Sequence, residues 1–293
     1  MPVLNPLPSR AGIGLKPEHY AAVLSTIGSA ASPAWVEVHP QNYFGAGGLP
    51  HHFLRQIAAV LPVSFHSVGL SLGSANGVNP DELHMLAALC AHYAPSMISD
   101  HLSWSDAPGR YYPDLMPLPY TWESLDHFAR QVDRVQTALR RRMLIENPSR
   151  YLGFADDDLE EPEFLDRLCR MTGCGLLLDI NNVFVSAVNT GFDPLAWLDA
   201  IDPFLVSEIH MAGHHVEQHD SGPLLIDDHG SCVADEVWAL LEAFIARAGP
   251  RPVLIEWDTH IPDFSVLMKE ADKADTILAR AAASQVKELA RAG

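Results

Sequence analysis

Seven short apolar runs in this 293-residue chain end in the same few side-chain types: His, Asp, Glu and Asn. "AWVEVH" (34–39) ends in Glu37 and His39, "PVSFHSVGLS" (62–71) carries His66, and "SMISDHLSW" (96–104) carries Asp100 and His101. "RMLIENPS" (142–149) supplies Glu146 and Asn147, and "GLLLDINNV" (175–183) supplies Asp179, Asn181 and Asn182. "FLVSEIHMAGH" (204–214) adds Glu208, His210 and His214, "RPVLIEWD" (251–258) adds Glu256 and Asp258, and a further segment, "LLIDDHG", carries Asp227, Asp228 and His229. So many carboxylates gathered without compensation would cost several kcal/mol per ion and force protonation. Divalent or trivalent cations remove that cost. Mixed imidazole and carboxylate donors suit iron, manganese or zinc and suit calcium or magnesium poorly. Bridging carboxylates would let two or three such ions sit close together. The runs offer no lysine for a Schiff base, no glycine-rich phosphate cradle after the last of them, and no Ser or Cys in a nucleophile setting.

The members differ in their reading. Residues two apart on a strand share a face, so His66 falls with Ser64 and His101 with Ser99, while Asp100 points the other way into a buried contact. Glu208 shares a face with His210 and is either a ligand or the carboxylate that orients the imidazole. His51, His52, His215 and His219 read as solvated, and "YYPDLMPLPY" (111–120) reads as a rigid lid.

Composition narrows the partners. Asp plus Glu number 37 against 19 Lys plus Arg, a formal charge of −18, so the surface repels phosphate backbones and nucleic acid is excluded as an expected partner. No apolar run approaches the roughly 20 residues of a membrane span. The opening "MPVLNPLPSRAGIGL" lacks the basic-then-apolar order of a secretory signal, so the expectation is a cytoplasmic enzyme without a membrane partner. Cys90, Cys169, Cys174 and Cys232 form no CxxC pair; Cys169 and Cys174 fall close in sequence and are expected as reduced thiols.

Elements that present such residues together must end at one place. With "AGIGL" (11–15) there are eight apolar runs, and between them lie helical patterns such as 79–94, 121–142, 161–173 and 235–249. Eight strands alternating with helices predict a (β/α)8 TIM barrel, in which chemistry gathers at the C-terminal strand ends. A doubly wound open sheet would bring a GxGxxG turn, which is absent. No linker or repeat divides the chain, so 1–293 is expected as a single domain with its barrel core at about 10–275.

The motifs resemble those of a known family. "VEVHPQNYF", "SFHSVGLSLGS", "SDHLSW", "DLMPLPYT", "LIENPS", "GCGLLLDINNVFVSA", "EIHMAGH", "LLIDDHG" and "LIEWD" are similar to the multinuclear non-heme iron-dependent oxidases, the family of the oxidase subunit of methanobactin biosynthesis. The likeness runs over nearly the whole chain. It implies a TIM barrel holding two to three iron ions, mixed Fe(II)/Fe(III), that uses O2 to modify cysteine residues of a ribosomally synthesised precursor peptide. Carried over by motif, it implies His66, His101, Glu146, Asp179, Asn182, His210, Asp227, His229 and Glu256 as ligands, with His214 as the alternative to His210. His66, His101, Glu146, Asp179 and Glu256 would share in catalysis, Glu146 as a carboxylate bridging two irons. Asp227 and His229, from a loop, would belong to a third and more labile position. The family also implies a small partner protein that grips the leader of the precursor.

Other metal-dependent barrels compete with that reading. A sugar isomerase or an abasic-site endonuclease also uses His, Asp and Glu at strand ends. The charge of −18 opposes the endonuclease, and the isomerase wants a lysine near its substrate, for which Lys16 is the candidate beside a strand end. A non-catalytic metal-binding protein is the third alternative.

Overall fold

Strands too short and too apolar to leave a face in water make the centre of the molecule. The computed structural model describes residues 6–107, 110–220 and 222–292. In chain order the strands are β1 (Ala11–Gly14), β2 (Val36–Val38), β3 (Val63–His66), β4 (Met97–His101), β5 (Trp104–Ala107) and β6 (Arg110–Met116). They continue as β7 (Leu144–Glu146), β8 (Gly175–Asp179), β9 (Val206–Met211), β10 (His215–His219), β11 (Gly222–Ile226) and β12 (Val253–Ile255). β1, β2, β3, β4, β7, β8, β9 and β12 pair in that order, all parallel, and β12 closes on β1. This is the (β/α)8 barrel, and each of its strands lies inside one of the eight apolar runs. Helices cover the outer face, which is why β8 reads as unbroken Leu176, Leu177 and Leu178.

The expected helices form with their caps. Pro80–Tyr93 starts at Asn79, whose side chain accepts from the Asp81 and Glu82 amides, and Trp122–Leu139 starts at Thr121, which accepts from the Ser124 amide. Glu161–Thr172 ends at Gly173, whose φ of 72° is the left-handed position that glycine takes without penalty. Each N-cap contributes about 1 kcal/mol. The final helix, Phe264–Ala292, lies against β1, where Asp275 accepts from the Ala11 amide at 2.6 Å. Among the described residues no helix is long and apolar enough to cross a membrane.

Two strands pass straight into a helix or a turn, and two local readings, at His51 and at 111–120, change. The run at 175–183 does not stay extended: Asp179 caps a helix, Ile180–Thr190, by accepting from the Asn182 amide at 2.6 Å. Asn181 and Asn182 therefore stand on a first helical turn. The run at 62–71 leaves the strand at His66, and Ser71, at φ 52°, turns back to accept from the Ser105 and Asp106 amides. His51 is half-buried rather than solvated, with Nδ1 2.7 Å from the Tyr93 hydroxyl and Nε2 2.8 Å from the Gly45 carbonyl. His52, His215 and His219 are exposed as expected.

The segment 111–120 divides. Its first part is β6, which forms an antiparallel hairpin with β5. Tyr120 is instead core: its ring is buried and its hydroxyl donates to Glu161 at 2.7 Å. β10 and β11 make a second hairpin before Asp227. Cys169 and Cys174 are free thiols with their sulfurs 3.7 Å apart.

Candidate metal centre

Strand register sets the floor of the barrel mouth. His66 pairs with Ser99 across β3 and β4, His101 with Glu146 across β4 and β7, and Asp179 with His210 across β8 and β9. The His66 and His101 Nε2 atoms are 3.2 Å apart, and Glu146 Oε2 lies 3.1 Å from the first and 3.2 Å from the second. His66 Nδ1 is 2.8 Å from Ser99 Oγ; when Nδ1 carries the proton, the Nε2 lone pair faces the centre. Burial, with His101 and His210 nearby, holds the His66 pKa well below the ordinary histidine range, so the ring is neutral, as a ligand must be.

A second group shares Glu146. Its Oε1 is 3.8 Å from His210 Nδ1, which also lies 2.9 Å from Glu256 Oε2. The other edge of the His210 ring faces inward along the barrel: Nε2 is 3.2 Å from Glu37 Oε1 and 3.9 Å from Glu208 Oε1. Glu37 is thus the nearer orienting carboxylate, and Glu208, which accepts from Ser64 Oγ at 3.1 Å, stands beside it. Glu37 meets His210 because β2 faces β9 across the barrel, which strand alternation alone does not reveal. His214 does not join this group. It is half-exposed, with Nδ1 2.8 Å from Asn181 Oδ1.

Asparagines tie the floor to a third group. Asn147 donates to the Asp179 carbonyl and accepts from its amide, at 2.9 and 3.0 Å. Asn182 Nδ2 donates to the Asn147 carbonyl at 3.1 Å, which fixes the amide and turns its Oδ1 away without a partner. Asn181 Nδ2 donates to Asp227 Oδ1 at 2.9 Å, and that oxygen is 2.7 Å from His229 Nε2. His229 holds a left-handed backbone at φ 47°, pinned by its carbonyl accepting from the Asp258 amide at 2.9 Å. Its Nδ1 lies 3.2 Å from Asp258 and 3.5 Å from Glu256. Asp228 instead accepts from the Gly230 amide at 3.2 Å and stabilises the turn, while still bordering the mouth. Asp100 turns from the floor and accepts from the Leu70 and His101 amides.

The donor set tests its own fit to metal. Among the described residues, Glu37 Oε2, His101 Nδ1, Asp179 Oδ2, Asn182 Oδ1 and Glu208 Oε1 are buried without a hydrogen-bond partner, while Glu146 Oε2, His210 Nε2 and His229 Nε2 face only the imidazoles and carboxylates of the centre itself. Each unsatisfied buried group costs about 1–3 kcal/mol. Burial and the nearby Asp179, Glu256 and Glu37 push the Glu146 carboxyl well above its usual range, and burial with Asp227 pushes Asp179 up to about 7. Cations held by these atoms would satisfy both problems together. Ligand atoms of His66, His101 and Glu146 lie within 4.8 Å of one another, as do those of Glu146, Asp179 and His210, and of His66, His210 and Glu256. Glu146, His66 and His210 each belong to two of these three groups.

Above the floor is a cavity of about 440 Å³. The β5–β6 hairpin covers one side, and the alternate residues Tyr111, Pro113 and Leu115 of β6 line it. Trp104 Nε1 donates to the Pro117 carbonyl at 2.7 Å and anchors that hairpin.

Comparison with known proteins bears on the family and the fold. A family model described as "RiPP precursor modification enzyme MbnB/TglH/ChrH" matches residues 10–279. A UPF0276 protein of Caulobacter vibrioides (strain NA1000 / CB15N) is 48% identical over 269 residues, 92% of this chain and 95% of its own. Among solved structures, an L-ribulose 3-epimerase superposes with a TM-score of 0.62 at 15% identity, covering 96% of this chain and 97% of its own. Endonuclease IV from Thermus thermophilus gives 0.55 at 15% identity, covering 90% of this chain and 98% of its own. At that identity the likeness concerns the barrel alone.

Proposed function

Because this chain belongs to the MbnB/TglH/ChrH family of RiPP precursor modification enzymes, we propose that it is an iron- and O2-dependent oxidase of cysteine residues in a ribosomally synthesised precursor peptide. The observation that carries this reading is the convergence of partnerless imidazole, carboxylate and amide atoms on the floor of an open mouth. His66, His101, Glu146, Asp179, Asn182, His210, Asp227, His229 and Glu256 would hold two to three irons, a mixture of Fe(II) and Fe(III). Imidazole and carboxylate together suit iron. The iron would supply thiolate binding and the electrons for reducing dioxygen.

The chain's own residues do the rest. Glu146, with each oxygen turned to a different imidazole group, would be shared between two ions. Glu37 steadies His210 from inside the barrel, and Ser99 steadies His66 from the next strand. Asn147 holds both Asp179 and Asn182 by backbone contacts, so these donors are in place before any ion arrives. The mouth is open, and Tyr111, Pro113, Asp114 and Leu115 of β6 border one side of it, where a peptide side chain would enter. A peptide of this kind needs its leader held, and a small separate partner protein would do so. The charge of −18 opposes the nucleic-acid substrate of an endonuclease.

The test is direct. Iron-loaded chain is mixed with air, the partner protein and a cysteine-bearing precursor peptide encoded beside it, and the peptide is weighed by mass spectrometry. A mass change mapped to cysteine, lost in the Cys→Ser peptide and under argon, is the expected result. An unchanged peptide together with ketose epimerisation would move the assignment to the isomerase reading.

A further inference from the structure

β1 is the barrel strand whose end carries no His, Asp, Glu or Asn. It finishes at Gly14, level with Glu37 on β2, and a cavity of about 340 Å³ opens in the notch. Glu37, His39 and Glu256 border that cavity, and Lys16 reaches into it from just beyond the strand. The Lys16 ammonium is ion-paired with Asp258 Oδ1 and lies 3.4 Å from His39 Nε2. His39 Nδ1 is 3.2 Å from the His66 carbonyl oxygen, which can only accept. With its hydrogen on Nδ1, the neutral ring turns the Nε2 lone pair toward the ammonium, and Nε2 also lies 3.7 Å from Asp258 Oδ1. The other Asp258 oxygen faces His229 Nδ1 at 3.2 Å. Ligand atoms of His39, Glu256 and Asp258 lie within 4.8 Å of one another. The ammonium meets His39 and Asp258 directly, and Glu256 stands beside both.

We propose that Lys16 is a built-in cation: its ammonium fills a metal-binding position formed by His39, Asp258 and Glu256, and so keeps a further ion from settling beside the buried centre. The inference rests on reading the buried cluster as a metal centre and is independent of which metal resides there. Lys16 is mostly buried, its side chain 16% exposed, so its charge acts at short range with little screening. Removing the charge while keeping the length leaves the same donors with no cation. One imidazole and two carboxylates then form a three-donor site of the kind that zinc or iron takes.

Stripped protein is loaded with excess Zn2+, desalted, and its zinc counted per chain. Lys16→Met is expected to hold one more Zn2+ than the parent chain, and Lys16→Arg the same number as the parent. Adding His39→Ala to Lys16→Met is expected to return the count to the parental value. Lys16→Gln is measured alongside, with thermal melting followed by circular dichroism, so that one folded neutral variant is in hand. Equal or lower zinc in the folded neutral variants than in the parent overturns the proposal. A parent chain that retains no zinc, iron or manganese overturns the metal-centre reading itself and this inference with it.

Discussion

Glu146 joins what would otherwise be separate clusters, because its two oxygens face different imidazole groups 3.1 to 3.8 Å away. Replacing it with Ala removes the carboxylate from a buried floor that already has partnerless neighbours. Glu146→Ala is expected to lose bound iron and cysteine modification while its far-ultraviolet circular dichroism stays that of the parent. Full metal content and turnover in that variant would contradict the bridging role. Much of this centre was legible residue by residue, since His66, His101, Glu146, Asp179, His210 and Glu256 all sit at strand ends where the apolar runs break. What sequence spacing hid were contacts made across the barrel. Glu37 meets His210 from a strand far away in the chain, and Lys16 meets His39 and Asp258 from a strand that ends in glycine.

At the scale of elements, each barrel strand was readable because burial on both faces leaves a continuous apolar run. The helix at Ile180–Thr190 was not readable, because its first turn is Asn-rich and its cap, Asp179, belongs also to the strand and the centre. The two hairpins were hidden for a related reason: β10 is exposed and polar, with no alternation toward a core. β1 shows the opposite case, a strand whose packing requires glycine. A Cβ on Gly12 would sit 2.3 Å from the indole of Trp35, a ring with no exposed surface. Indole and neighbouring backbone have nowhere to move, and overpacking of this kind costs about 1–3 kcal/mol. Gly12→Ala is therefore expected to lower Tm by several degrees, and an unchanged Tm would show that β1 can shift away from Trp35.

For the whole molecule, the buried carboxyls couple stability to metal and pH. In the metal-free chain burial pushes Asp179 up to about 7, and His210 and His229, despite burial, are held high by Glu37, Glu256 and Asp227. A folded-state pKa raised above the unfolded value contributes stability at low pH that is lost as pH rises through the folded value. Despite its burial, Glu256 is held low by His229 and His210. Asp258, despite burial and the nearby Glu256, is held low by His229 and His39, so both carboxylates matter only in the acid range. His66, held low by burial, opposes this, but Glu146 and Glu208, both pushed up by burial, add to it, so the metal-free chain should lose Tm by several degrees between about pH 5 and pH 8. Metal-loaded chain should vary less over the same window, and equal pH profiles for the two forms would contradict the coupling. The most direct test of the central claim is metal analysis of protein purified without chelator, with visible and Mössbauer spectra of the same sample. Two or more irons per chain, part ferrous and part ferric, with a visible band are the predicted result. Zinc or manganese in place of iron, with no visible absorption, would contradict it.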